Sequence, residues 1–177
     1  MRFLLCALLL GSVSWTPCFA EMPKVGDPAP DFEMIATDGK TYHLDDFVGK
    51  QALIIAWYPR AFTGGCTKEC ESFRDAGEQL KKFNVAYFTA STDPVEKNAE
   101  FAKSLDLDYP ILSDPSGKAA AAFGVLRADG KAANRVTFII GQDGKILSVE
   151  EKVATATHAQ DLAKKLDSLG IARADAK

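Results

Sequence analysis

The sequence is poor in cysteine, histidine and methionine, and it lacks any cluster of positive charge. Its 177 residues hold 4 Cys, 2 His and 3 Met, with 21 Lys and Arg against 24 Asp and Glu and a formal net charge of −3. The isoelectric point is near 5.4. Without a basic run there is no electrostatic footprint for nucleic acid or for an anionic membrane surface, so neither is expected as a partner. A small or neutral ligand, or a protein, fits better. Neither His43 nor His158 sits in a metal-ligand spacing, and no metal or cofactor is expected. There is no internal repeat, low-complexity segment or linker. A composition of 47% hydrophobic and 25% charged residues suits one globular domain with one core.

One apolar stretch opens the chain. Arg2 supplies a positive charge, Leu4 to Leu10 is wholly apolar, and Cys18-Phe19-Ala20 leaves small residues where a signal peptidase reads. Gly11, Ser12 and Ser14 break the stretch short of the roughly 20 residues that span a bilayer. Trp15-Thr16-Pro17 before Cys18 makes a poor lipobox. A signal peptide over 1–20 is expected, cleaved after Ala20, with an exported domain over 21–177, periplasmic or secreted. Removing Arg2, Cys6 and Cys18 takes the net charge to −4 and leaves Cys66 and Cys70 as the only thiols, in an oxidising compartment that permits disulfides.

Within 21–177 the pattern alternates. Phe32 to Ala36 and Thr41 to Leu44 flank an Asp38-Gly39 turn and predict an N-terminal β-hairpin carrying His43 as an edge residue. Ala52 to Tyr58 and Val85 to Ser91 read as buried strands, with a short one at Tyr109 to Leu112. Asp93-Pro94-Val95-Glu96 combines the signals of a helix start, and that helix is expected to run to about Leu105. Asp114-Pro115 restarts a helix that ends at Gly124. Asn134 to Ile140 and Lys145 to Val149 form a closing hairpin about Asp143-Gly144, and a last helix spans about Thr157 to Leu169. The tail from Arg173 to Lys177 reads as disordered. Strands separated by helices give parallel crossovers and the closing hairpin an antiparallel pair, so the fold class is α/β with a mixed central sheet.

The chemistry concentrates between Pro59 and Asp75. Gly64 and Gly65 follow the strand at Ala52–Tyr58 and allow a sharp turn, and with Thr63 as N-cap Cys66 falls in the first helical turn. Unpaired amides and the positive end of the helix dipole favour an anion there, so this thiol should ionise more readily than a free one. Cys66, Cys70, Phe73, Gly77 and Leu80 share one helical stripe. In such sheets ligands sit beyond the C-terminal ends of the strands, which is where Cys66 follows.

Pro59-x-x-x-Thr63-x-x-Cys66 resembles the active-site pattern of the peroxiredoxins, the AhpC/TSA superfamily. Gly26-x-x-Ala29-Pro30-Asp31-Phe32, Phe73-Arg74-Asp75, Leu112-Ser113-Asp114-Pro115 and Arg135-x-Thr137-Phe138 are similar to that family's other landmarks, in its order. The closest subgroup is the Q-type, or bacterioferritin-comigratory, peroxiredoxins. The resemblance implies a thioredoxin-like fold and a thiol peroxidase acting on hydrogen peroxide and organic hydroperoxides. A thioredoxin-like or other thiol reductant would recycle it, in a monomer or homodimer. It casts Cys66 as the peroxidatic cysteine and Thr63 as hydrogen-bonding first the thiolate and then the peroxide. Arg135 would supply fixed positive charge and align the peroxide oxygens, and Pro59 would shield the thiolate. The amides of Gly65 and Cys66 would receive developing charge. Cys70 would be the resolving cysteine, although in that subgroup the second cysteine follows the first by five residues and here by four.

The i, i+4 spacing also constrains the pair. On an intact helix such Cβ atoms lie about 5–6 Å apart, whereas a disulfide needs about 3.5–4.5 Å. Resolution by Cys70 therefore requires the first turn to unwind; the alternative is that Cys70 only packs. Cys-x-x-x-Cys on an exported thioredoxin-like chain also resembles Sco-type copper-delivery proteins, since soft thiolates suit Cu(I). Those add a histidine near the late strands, where Arg135 stands here, and His158 reads as a polar surface residue.

Overall fold

The computed structural model describes residues 21–174. The expected signal peptide, 1–20, lies outside the described residues. Seven strands and four helices follow in the order β1 (Glu33–Ala36), β2 (Thr41–His43), β3 (Ala52–Trp57), α1 (Gly64–Leu80), β4 (Val85–Ser91), α2 (Val95–Ser104), β5 (Ile111–Ser113), α3 (Lys118–Ala122), β6 (Val136–Ile140), β7 (Ile146–Glu150) and α4 (His158–Ser168). They make one seven-stranded sheet in the order β2-β1-β5-β4-β3-β6-β7. The pairs β3–β4 and β4–β5 are parallel, as the α1 and α2 crossovers require. The pairs β3–β6, β6–β7, β1–β2 and β1–β5 are antiparallel. The mixed sheet and both hairpins thus match the expectation, and the N-terminal hairpin extends the same sheet by pairing Ile35 with Ser113.

β3 lies at the centre of the hydrophobic packing and is buried along its whole length. Its side chains alternate between two cores, as a strand covered on both faces must. Ala52, Ile54 and Ala56 join Phe73, Ala76, Leu80, Tyr87 and Ile139 under α1 and α4. Leu53, Ile55 and Trp57 join Phe88, Phe123, Phe138 and the N-terminal segment at Phe32 and Met34 on the opposite face. The predicted stripe on α1 is buried at Cys66, Cys70, Phe73, Gly77 and Leu80. A smaller cluster of Tyr58, Ala61, Cys66, Cys70, Phe101 and Ile111 sits between the start of α1, α2 and β5.

The structure departs from the sequence reading in several places. Pro94, not Asp93, occupies the cap of α2, and no side chain caps that helix. Asp93 instead turns its carboxylate inward, because the amide of Ala61 needs an acceptor there. Glu96 is exposed. The strand expected at Tyr109 to Leu112 begins at Ile111, leaving the Tyr109 hydroxyl free to donate to the Cys70 carbonyl at 3.1 Å. Asp114-Pro115 precedes α3 rather than opening it, and the Asp114 carboxylate accepts the Lys118 and Ala120 amides at 3.0 and 2.7 Å. The tail is ordered at its start: the Arg173 guanidinium lies 4.1 Å from the Phe83 ring centroid, and the Ala174 amide donates to Lys82 O at 2.9 Å.

Candidate active site

β3 ends at Trp57, and the chain turns through Tyr58 to Thr63 before α1 begins. Three devices hold this loop. The Tyr58 hydroxyl donates to Asn98 Oδ1 at 2.7 Å, with Asn98 in turn bonded to Ser91 and Ser113. The Ala61 amide donates to Asp93 Oδ2 at 2.7 Å, and Lys97 pairs with Asp93 Oδ1 at 2.6 Å. Phe62 takes φ 64, a left-handed conformation that costs a non-glycine residue about 1–3 kcal/mol. Its ring is 53% exposed and leans on Phe101 with centroids 5.0 Å apart. α2 and the end of β4 therefore clamp the loop from one side.

Thr63 is the N-cap, as the sequence indicated, but its side chain makes no capping bond. Its hydroxyl donates to the Arg60 carbonyl at 3.0 Å, so the bond to the thiol implied by the resemblance is not made in this state. Pro59 is half-buried beside the turn. Gly64, Gly65 and Cys66 occupy the first turn of α1, where amides have no partner further back in the helix and point outward with the positive end of the dipole.

Cys66 is 1% exposed and free. Arg135, just before β6, donates from Nη2 to Cys66 Sγ at 3.2 Å. β6 pairs with β3, with Val136 opposite Trp57, and that pairing brings the guanidinium over the start of α1. A Cβ on Gly65 would stand 3.3 Å from Arg135 Nη2; glycine there lets the cation come close. The same guanidinium donates from Nη1 to Glu69 Oε2, so one planar group spans the sulfur and a carboxylate.

Cys70 is also free and fully buried. Burial pushes its thiol up to about 12, against weaker opposing effects of Tyr109 and Thr89. Its sulfur lies 3.9 Å from Thr89 Oγ1. Folded, the Cys70 thiol is therefore an inert packing group.

The sequence reading missed two residues of this network. Glu69 is fully buried. Its position three residues after Cys66 and four before Phe73, on the buried face of α1, is the signal that could have found it. His158, a surface residue by its place in the sequence, is 4% exposed. Its Nδ1 lies 2.9 Å from Glu69 Oε1 and its Nε2 lies 3.3 Å from Thr137 Oγ1. Burial, and secondarily the charge of Arg135, lowers its pKa from 6.5 to about 4. The Glu69 carboxylate would by itself favour the imidazolium, but Arg135 already matches its charge, so desolvation prevails and the ring is neutral near pH 7.

Comparisons with known proteins bear on the family and the fold. The AhpC/TSA family model matches residues 25–149. Peroxiredoxin Bcp of Escherichia coli K12 is 37% identical over 141 residues, which are 76% of this chain and 90% of that protein. The crystal structure of peroxidoxin BcpB from Mycobacterium tuberculosis superposes with a TM-score of 0.76 at 37% identity, covering 82% of this chain and 97% of that one. That of Xylella fastidiosa PrxQ, at 22% identity, shares the fold with a TM-score of 0.78 over 85% of this chain and 99% of its own.

Proposed function

The chain belongs to the AhpC/TSA family and is a peroxiredoxin-type thiol peroxidase, and within that assignment we propose that Cys66 is the residue that reacts with hydrogen peroxide and organic hydroperoxides. The observation that carries this reading is the Arg135 guanidinium donating to Cys66 Sγ at 3.2 Å at the N-terminus of α1. A fixed cation and unpaired amides favour the thiolate, which is the nucleophile. The thiolate attacks the terminal oxygen of the peroxide. An S–O bond forms, the O–O bond breaks, and the departing alkoxide or hydroxide takes a proton from solvent, leaving a sulfenic acid. Arg135 and the Gly65 and Cys66 amides carry the charge that builds on the oxygens. Thr63 shifts its hydroxyl from the Arg60 carbonyl to the bound peroxide, and Pro59 limits water at the thiolate.

In this scheme Cys70 resolves the sulfenic acid, forming a Cys66–Cys70 disulfide and releasing water, and a thioredoxin-like dithiol reduces the disulfide. The first turn of α1 unwinds for that step, since the buried Cys70 thiol is unreactive while folded. Export with cleavage after Ala20 puts the enzyme outside the cytoplasm; N-terminal sequencing of the native protein should read from Glu21, and an unprocessed N-terminus would rule export out. Copper delivery is not favoured. Arg135 opposes a cation beside Cys66, and among the described residues no group of three or more His, Cys, Asp or Glu is placed to hold a metal ion.

The test uses purified mature protein with dithiothreitol. It should consume hydrogen peroxide, and Cys66→Ser should abolish the turnover; undiminished turnover in that variant would reject the role of Cys66.

A further inference from the structure

We propose that His158 is a positioning residue for the Cys66 site: from the first turn of α4 it holds Glu69, which holds Arg135 against the sulfur. The inference builds on the reading of Cys66 as the reactive thiol.

Glu69 has two carboxylate oxygens and no solvent. Oε2 is taken by Arg135 Nη1. Oε1 has no aligned hydrogen bond among the described residues, and neither has His158 Nδ1, yet the two atoms face each other at 2.9 Å. A buried carboxylate oxygen and a buried ring nitrogen each need a partner, and at 2.9 Å each is within hydrogen-bond reach of the other. The neutral ring protonated on Nδ1 satisfies every neighbour. Nδ1–H donates to Glu69 Oε1, and Nε2 accepts from Thr137 Oγ1 at 3.3 Å. Thr137 lies two residues beyond Arg135 on β6, so the chain of contacts closes on the strand that carries the guanidinium.

The ring is held in place by packing as well. The Phe73 ring meets it edge-on, with centroids 5.2 Å apart and planes at 84°. The Ala159 amide, next in α4, donates to Ser72 Oγ on α1 at 3.1 Å. Glu69, Ser72 and Phe73 thus present one face of α1 to the start of α4. The charged groups that act on His158 are Glu69 from α1, Arg135 from the approach to β6, Glu150 from β7 and Asp161 from α4.

Without the imidazole donor, Glu69 would draw on Arg135 for both oxygens and pull the guanidinium away from Cys66. His158→Leu removes the donor and keeps the bulk. The readout is the pH profile of iodoacetamide alkylation of Cys66 in a Cys70→Ser background, alongside thermal unfolding. Expected is a displacement of the profile to higher pH by about one pH unit, which slows alkylation at pH 7 about tenfold. His158→Gln, whose amide can donate to Glu69, should restore most of it. An unchanged profile in folded His158→Leu would overturn the proposal, as would a displacement to lower pH. Should His158→Leu not fold, Thr137→Val frees the ring at Nε2 and should displace the profile in the same direction; no displacement there also overturns it. Alkylation reports on Cys66 whether or not peroxide is turned over, so failure of this inference and failure of the peroxidatic role are read separately.

Discussion

If Cys70 resolves a sulfenic acid on Cys66, the first turn of α1 must come apart in each cycle, and Gly64→Ala should make that slower. Gly64 is the first residue of α1, and a Cβ built there meets nothing within 4 Å. Alanine therefore enters without a clash, while its lower backbone freedom favours the helical turn over the unwound one by about 0.5–1 kcal/mol. Acting on the unwinding step, that is about a two- to fivefold slower disulfide. Gly65 is unsuitable for the same test, since its Cβ would stand 3.3 Å from Arg135 Nη2 and disturb the peroxide step itself. The assay mixes reduced enzyme with one equivalent of peroxide, quenches with an alkylating reagent at intervals, and follows sulfenic acid and the Cys66–Cys70 disulfide by mass spectrometry. Loss of the Cys66 thiol should keep its native rate, while the disulfide lags and the sulfenic acid persists. An equally fast disulfide in a variant of raised thermal stability would refute the unwinding argument. Sulfenic or sulfinic acid at Cys66 of the native protein with Cys70 still free would remove Cys70 from the cycle altogether.

Arg135→Met should slow the peroxide reaction and displace Cys66 alkylation to higher pH. A cation about 4 Å away is worth about 4 kcal/mol at an effective dielectric constant of about 20, and with the opposing charge of Glu69 a ten- to hundredfold loss at about 1.4 kcal/mol per factor of ten is expected. The variant also leaves Glu69 an unpaired buried carboxylate, which costs about 3–5 kcal/mol, so a lowered urea midpoint is expected, recovered by adding Glu69→Gln, and an unchanged midpoint would show Glu69 relaxing to solvent. Asp93→Ala leaves the Ala61 amide without its acceptor next to strained Phe62; a loss of about 1–3 kcal/mol in urea unfolding is expected, with slower peroxide turnover, and a native turnover rate would show that the clamp does not position Cys66. The folded protein holds His158 neutral to about pH 4 whereas the unfolded chain protonates near 6.5. The unfolded state therefore binds more protons between those values, and stability from this group is complete above pH 6.5 and lost as pH falls toward 4. At about 1.4 kcal/mol per pH unit the loss approaches about 3 kcal/mol. His158→Gln should flatten that part of the stability profile, and an equally steep fall in the variant would assign it elsewhere.

The fold was largely legible because its signals are local. The run expected as a strand from Ala52 to Tyr58 through β-branched and aromatic residues is β3, one residue shorter at Trp57, and β4 matches the expected Val85 to Ser91. Gly144 at φ 77 and Gly170 at φ 69 turn the chain where the sequence placed a turn and a helix stop. Misses fell where a partner distant in the chain overrides a local signal. Asp93 reads as a helix cap, but its buried carboxylate accepts the Ala61 amide instead, and Pro94 takes the cap. Arg173 looks like part of a polar tail, but the flat face of Phe83, two residues before β4, gives its guanidinium a seat.

The site divides along the same line. Position in the chain determines that Cys66 enters the first turn of a helix after a strand and two glycines, and that Cys70 shares its face. These depend only on backbone geometry over a few residues. Which charges meet at the sulfur depends on strand pairing between β3 and β6 and on α4 packing over α1, and neither can be read from residue spacing. Arg135 follows Cys66 by 69 positions and reaches it because β6 lies beside β3. His158 lies 89 positions past Glu69 in the numbering and reaches it because Ser72 and Phe73 seat the start of α4. In the sequence a histidine opening a helix and an acid within one are ordinary surface residues; tertiary packing removes their water, and a polar group without water must find a partner.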